Sequence, residues 1–384
     1  MKIVHVCLCG AMTDGFNYQE NVITKYHKKM GHDVTIIASQ YMWDTKGNII
    51  ISEKKNYIND DGVKMIRLPI FIGNINSRLK IYCGLYKTVE EEAPDILFIH
   101  DCQFLDILKL AKYAKKHLST RIYVDNHVDY SNGAHGWISK NILHRGVWRY
   151  CVNRIEPYVR KFYGVLPARV DFLKELYNLP AEKCELLVMG ADDELVISAA
   201  KPEVRLKVRA KYGISDQDFL VMTGGKIDAF KTQTLLLMEA VKNIPNKNVK
   251  LIVFGSVTDE LIQKVNSLVD GERVQYVGWI KANNSYEYFA AADLVVFPGR
   301  HSVFWEQVVA QGIPMLCKDW KGTHHIDLNG NVEFLTKDTA EEIQKKIETL
   351  VCSREEYNKM KYVAVQRGMK KFAYSNIAKQ SIEQ

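Results

Sequence analysis

Two kinds of apolar spacing alternate along the chain, and the alternation predicts the fold. Short unbroken apolar runs closed by turn residues read as buried strands. In the first half these are Lys2 to Leu8, Asp33 to Ala38, Val63 to Leu68, Asp95 to Ile99, Arg121 to Val124 and Glu185 to Met189. In the second half they are Phe219 to Met222, Lys250 to Phe254, Val274 to Val277, Leu294 to Phe297 and Ile313 to Leu316. Between them lie stretches with helical spacing. Tyr18, Val22, Tyr26 and Met30 form one stripe, on a helix that Gly31 stops. Asn17 and Glu20, three apart, predict a capping box at its start. Thr232 to Val241, Asn284 to Ala291 and Val303 to Gln311 read as further helices, the last ended by Gly312. Tyr41 to Asn76 is irregular apart from the strand inside it. Strand and helix alternating in both halves predict an α/β chain: two doubly wound parallel sheets facing one cleft. Ala199 to Ala210, polar and basic, reads as the connection between them.

In such sheets ligands bind beyond the carboxyl ends of the strands. The loops there carry the chemistry: Cys9 to Phe16 with Gly10 and Gly15, His100-Asp101, Asp125-Asn126-His127, Thr223-Gly224-Gly225 and Pro298 to Ser302. The last of these precedes a helix start, whose free N–H groups and dipole favour a phosphate. Arg300, His301 and Ser302 are in that loop, and Glu306 and Gln307 follow on the helix.

Composition adds limits. A length of 384 residues suits two domains. No apolar run approaches the ~20 residues of a bilayer span, and Met1 to Leu8 lacks the features of a signal peptide. Eight scattered cysteines without zinc spacing read as reduced thiols, which predicts a cytoplasmic protein. The net charge of +7 suits an anionic ligand, an anionic membrane or nucleic acid. Dispersed basic residues and the lack of a recognition motif argue against nucleic acid. Lys140 to Lys161 interleaves cations with Trp148, Tyr150 and Tyr158. That pattern fits peripheral contact with an anionic membrane or a lipid-linked acceptor, or an amphipathic helix covering the first sheet.

Several blocks resemble a known family, the retaining glycosyltransferases of the GT-B fold, family 4 type. Gly15-Phe16-Asn17-Tyr18-Gln19-Glu20-Asn21 and Gly31-His32-Asp33-Val34 are similar to its glycine loop and its "GH-x-V" stretch. Leu187 to Asp192 is similar to its "IPNGVD" turn. Gly225 to Lys231 follows "GRL-x-x-x-KG", with Lys226 in place of Arg, Thr232 in place of Gly, and the spacing of the two cations kept. Val277 to Ile280, Ala291 to Leu294 and Gln311 to Pro314 match "F-x-G", "ADL" and "CG-x-P". One departure is clear. Of two family glutamates eight positions apart, the second falls on Gln307, beside Glu306, and the first on Gly299.

The resemblance implies a first, acceptor-side domain over 1–195 and a nucleotide-sugar-binding domain over 196–365. It implies a final helical segment, 366–384, packing back on the first domain. It also implies a hexosyl transfer from a nucleotide diphosphate sugar to a glycan or lipid-linked acceptor, with retention and with neither metal nor cofactor. Lys226 and Lys231 would neutralise the diphosphate, and His127 would touch the donor sugar or diphosphate. Gly15 and Gly225 would let the backbone approach the donor, with Arg300, His301 and Ser302 beside it. Glu306 or Gln307 would hold the ribose hydroxyls. An epimerase of the same fold and a non-catalytic nucleotide-sugar-binding subunit are the competing expectations.

Overall fold

The computed structural model describes residues 1–44, 48–229 and 231–383. Phe230, inside the block from Gly225 to Lys231, therefore lies outside the described residues. The chain folds as two units. Met1–Val188 and the chain from Ile377 onward make the first, and Met189–Asn376 makes the second. The boundary thus falls at 188/189 rather than 195/196. Residues after it are held by the second unit: Ala191 bridges Ala373, and the Asp192 N–H donates to the Tyr286 hydroxyl at 3.0 Å.

The first unit is built on an eight-stranded sheet. Its spatial order is Cys184–Leu186, Val159–Gly164, Arg121–Asn126, Ile96–Ile99, Lys2–Cys7, Asp33–Ser39, Lys64–Leu68 and Asn56–Ile58. All neighbours are parallel except the last pair. The order reverses direction between Lys2–Cys7 and Ile96–Ile99, which makes their carboxyl ends a topological switch point. Val4, Val6, Leu97 and Ile99 belong to an apolar core on one face. The central strands are apolar on both faces because helices cover both.

The second unit has six parallel strands, in the order Val274–Tyr276, Val249–Phe254, Phe219–Gly224, Leu294–Phe297, Met315–Lys318 and Val332–Leu335. Its switch point lies between Phe219–Gly224 and Leu294–Phe297, paired through Val221 with Leu294 and Met222 with Val295. Both units are therefore Rossmann-like.

Four local expectations change. The first helix is Gln19–Lys29, with Tyr18 at its cap position and no side-chain capping bond, so the Asn17–Glu20 box does not form. Asn21 instead donates to the carbonyls of Thr13 and Phe16, tying the helix to the preceding loop. Ala199 to Ala210 is not a bare connection. It contains most of helix Pro202–Lys211, whose Arg209 is buried and bonded to Asp293, Ala291, Ser215 and Asp218. Lys140 to Lys161 is helical only to Tyr158. The strand Val159–Gly164 then begins, with Phe162 and Tyr163 fully buried. The helix expected over Val303 to Gln311 spans Phe304–Ala310.

Candidate functional site

Each switch point carries its own set of polar groups. In the second unit, strand Phe219–Gly224 must leave the sheet sharply. A side chain at Gly224 would meet the Phe254 ring at 2.2 Å, and Gly225 has φ +127°, a conformation side chains rarely allow. The chain then presents Lys226, closes a turn through the Lys231 N–H to the Asp228 carbonyl (2.9 Å), and presents Lys231. Across the switch point, Leu294–Phe297 ends in Pro298-Gly299-Arg300. Gly225, Lys226, Lys231, Arg300 and Ser302 line one pocket here.

The cations crowd one another. Burial pushes the Lys231 ammonium down from its usual value, and Arg300 and Lys226 push it further, against the pull of Asp228. Lys226 is more exposed and stands 3.7 Å from the Asp228 carboxylate. Like charges held together in a concave site favour an anion that neutralises them. Sharing Gly225 and Lys226 is a second depression, lined also by Trp279, Ile280 and Ser285. Trp279 keeps 63% of its surface exposed.

The two residues matched to the family's ribose contact lie behind this surface. Gln307 is buried, and its amide donates to Ser285 (3.0 Å) and Gln311 (3.2 Å). Glu306 has no exposed surface. Its Oε1 accepts from Nε2 of both His301 and His325, each at 2.8 Å. Burial opposes the carboxylate's charge, but the two imidazoles, His301 foremost, bring its pKa down to about 2. Glu306 and His301 are thus bound to each other rather than aimed at the pocket. Among the described residues, His301, Glu306 and His325 are the group whose ligand-type atoms lie close enough, within 4.8 Å, to hold a metal ion.

At the first unit's switch point the register does the assembling. Val124 pairs with Ile99, so the next residues, Asp125 and His100, sit side by side. His127 follows Asp125 by two, the repeat of one sheet face. The Asp125 Oδ2 accepts from His100 Nδ1 at 2.7 Å and stands 3.6 Å from His127 Nε2. Asp101 takes the left-handed conformation, φ +61°, which is unusual for a side chain other than glycine. Two bonds hold it there. Its N–H donates to Asp125 Oδ1 (2.9 Å), and its Oδ1 accepts from the His127 N–H (2.7 Å).

These contacts fix charges. Burial disfavours an Asp125 carboxylate, yet His100 and His127 hold its pKa well below the usual range. Burial also disfavours an imidazolium at His127, but Asp125, Asp101 and Glu20 override it and raise the pKa to about 9. These acids favour the charged form of His127 at neutral pH.

Beside it lies a depression lined by Gly10, Glu20, Lys80, His100, Asp101 and Gln103, among others. Lys80, buried and bonded to the carbonyls of Cys9, Ile75 and Ser77, was not expected from the sequence. Gly15 has φ +73° but is not among the residues lining this depression.

Comparison with known proteins fits this arrangement. Residues 204–367 match the family model described as glycosyl transferases group 1. An uncharacterized glycosyltransferase of Methanocaldococcus jannaschii is 23% identical over 164 residues, 40% of this chain and 42% of that one. The aligned stretch thus spans less than half of that relative. Among solved structures, a glycosyltransferase from Rickettsia africae superposes with a TM-score of 0.69 at 14% identity, over 100% of this chain and 97% of the other. Anabaena HepE in complex with UDP gives 0.69 at 16%, over 99% and 98%. The likeness along the whole length shows the fold, that of GT-B glycosyltransferases. No helix among the described residues is long and apolar enough to cross a membrane. The family match is confined to residues 204–367, inside the second unit.

Proposed function

We propose that this protein transfers a sugar from a nucleotide diphosphate sugar to a glycan or lipid-linked acceptor, with retention and without a metal. The observation that carries the reading is the convergence of Lys226, Lys231 and Arg300 on one pocket at the second unit's switch point. A diphosphate leaving group needs its charge met, and preorganised cations can do so without a metal. The adjoining depression supports the same donor, because the exposed Trp279 offers a flat face to a base. His127, a cation held by Asp125, would meet charge that develops at the reacting end of the donor. Among the described residues, no pair provides a convincing enzymatic nucleophile. As in the family it resembles, the leaving diphosphate itself would assist deprotonation of the acceptor on the same face.

The acceptor reading rests on the first unit. On its segment 137–150, Trp137, Ile138, Ile142 and Tyr150 are all more than half exposed, interspersed with Lys140, Arg145 and Arg149. Apolar side chains among cations suit a lipid-linked acceptor at an anionic membrane surface. Flotation with vesicles containing anionic lipid would be positive for the protein and weakened by Trp137→Ala with Ile138→Ala. Flotation that ignores both anionic lipid and the substitutions would remove the membrane part of the reading.

A thermal-shift panel of UDP-, GDP-, ADP- and CMP-sugars tests the donor, since a ligand bound by the native state raises the melting temperature. A diphosphate sugar should give the largest rise, and chelation should leave it unchanged. The largest rise with a CMP-sugar would sink the diphosphate role of the lysines. Donor turnover with no acceptor present, changing the sugar's stereochemistry, would indicate an epimerase instead.

A further inference from the structure

Beside the cationic pocket of the second unit, three side chains from a loop, a helix and a turn meet. His301 belongs to the loop after strand Leu294–Phe297, and Glu306 to helix Phe304–Ala310. His325 lies in the turn His324–Ile326, beyond the neighbouring strand Met315–Lys318. The Glu306 side chain is fully buried, and those of His301 and His325 keep only 11% and 2% of their surface. Both Nε2 atoms stand 2.8 Å from Glu306 Oε1. Those contacts satisfy one carboxylate oxygen and leave the other. Glu306 Oε2 is buried with no hydrogen-bond partner among the described residues, and so is His325 Nδ1. A buried carboxylate oxygen left without a partner costs free energy, and native structures normally set a donor, a water or an ion against it.

The chemistry of the group selects the partner. Two imidazoles and one carboxylate are a ligand set of zinc and similar divalent transition ions. Calcium and magnesium are excluded, because they ask for about six oxygens and one carboxylate is on offer. The ligand-type atoms of the three residues lie within 4.8 Å of one another. Zinc bonds of about 2.0–2.1 Å set neighbouring ligand atoms about 3.3 Å apart in a tetrahedron, so an opening of about half an ångström at each imidazole admits the ion. The walls are apolar. The Trp305 ring meets His301 edge-on, centroids 5.1 Å apart, and the Phe372 ring lies 6.2 Å from that of His325. Trp305 and Phe372 are both fully buried. An apolar shell of this kind keeps water from competing for the ligands.

We propose that His301, Glu306 and His325 bind one zinc-type divalent ion, the histidines through Nε2 and the glutamate through its carboxylate. The fourth position goes to water. The ion ties a loop, a helix and a turn at the carboxyl ends of two adjacent strands, and its role is structural. It stands apart from the transfer reading, in which lysine and arginine meet the diphosphate. Arg300 and Ser302, on either side of His301, line the diphosphate pocket, but none of the three ligands does. Without the ion both imidazoles fall back on their hydrogen bonds to Oε1, so the loop keeps its course and donor binding survives chelation.

The test is metal content. Untagged full-length protein, equilibrated with zinc and then freed of excess by gel filtration, should keep about one zinc per chain by elemental analysis. His301→Ala and His325→Ala should each weaken zinc binding by at least about tenfold. His324→Ala is the control. That imidazole is exposed and paired with Asp319 at 2.6 Å, a place for adventitious zinc, and its loss should leave the content unchanged. Zinc should also raise the melting temperature of the unaltered protein, as a ligand bound by the native state does, and not that of His325→Ala. Zinc lost in His324→Ala but kept in His325→Ala would overturn the site. If the ligand variants do not fold, X-ray absorption at the zinc edge of the unaltered protein decides. Two imidazoles with oxygen are expected, and a sulfur shell, or a protein that holds no zinc at all, would overturn the proposal. Zinc held in this way by a protein that transfers no sugar would sustain this inference and sink the functional one. Transfer by a protein that holds no zinc would do the reverse.

Discussion

The two switch points are built alike and charged differently. Each lies where strand order reverses in a parallel sheet, and each has a loop beyond the first strand of its unit. In the second unit the loops bring two lysines and an arginine to one pocket, with Asp228 beside the lysines, and crowded cations favour an anion. In the first, a histidine flanked by acids lies beside a depression that also holds Lys80. The second unit's arrangement suits binding of a permanent charge. The first unit's suits a group that must be held in one place and one protonation state while charge develops nearby. One scaffold thus yields two electrostatic tasks through a handful of strand-end residues.

The difference between the two points can be broken at His127. His127→Ala should lower transfer by about two to three orders of magnitude, as expected for removing a preorganised electrostatic partner, while diphosphate binding stays nearly unchanged. A parallel loss of binding would erase the proposed division. In the second unit, Trp279→Ala should weaken nucleotide binding by about tenfold, the cost of losing one stacked base. Lys226→Ala should cost only a few-fold, because that ammonium is more exposed and pairs with Asp228. Titration calorimetry on both variants would rank them.

The pH dependence sharpens the first unit's part. His127 has its pKa raised above 6.5, so the stability its charge contributes is complete below that value and is lost as pH rises through about 9. The alkaline limb of the transfer rate should follow the same midpoint. A limb near 6.5 would mean that Asp125 does not hold the imidazolium. Glu306 has the opposite sign. Its pKa is lowered to about 2, so its contribution is present above the ordinary carboxylate range and fades as acid approaches that value. Glu306→Gln should lower the melting temperature at neutral pH but leave the preference for ribose over deoxyribose nucleotides unaltered. A lost preference would restore Glu306 as a sugar contact.

Much of the fold was legible, because buried parallel strands write themselves as apolar runs. Leu294–Phe297 and Val249–Phe254 stand almost where the runs placed them. Val159–Gly164 was hidden because Arg160 and Lys161 interrupt its apolar side, and only the sheet shows Phe162 and Tyr163 buried. The site was half legible. Gly225, Lys226, Lys231, Arg300 and Ser302 converge because a loop at a switch point has little choice. That two histidines bind Glu306 was not legible, because sequence spacing does not say which way a short helix turns its faces. His325, 19 residues on, decides that.

The central claim is that the second unit grips the diphosphate through Lys231. Calorimetric titration of UDP into Lys231→Ala, beside the unaltered protein and His127→Ala, addresses it directly. Affinity should fall by about 10- to 100-fold for Lys231→Ala, the loss of one charge-assisted bond, and change little for His127→Ala. Equal affinity in Lys231→Ala and the unaltered protein would contradict it.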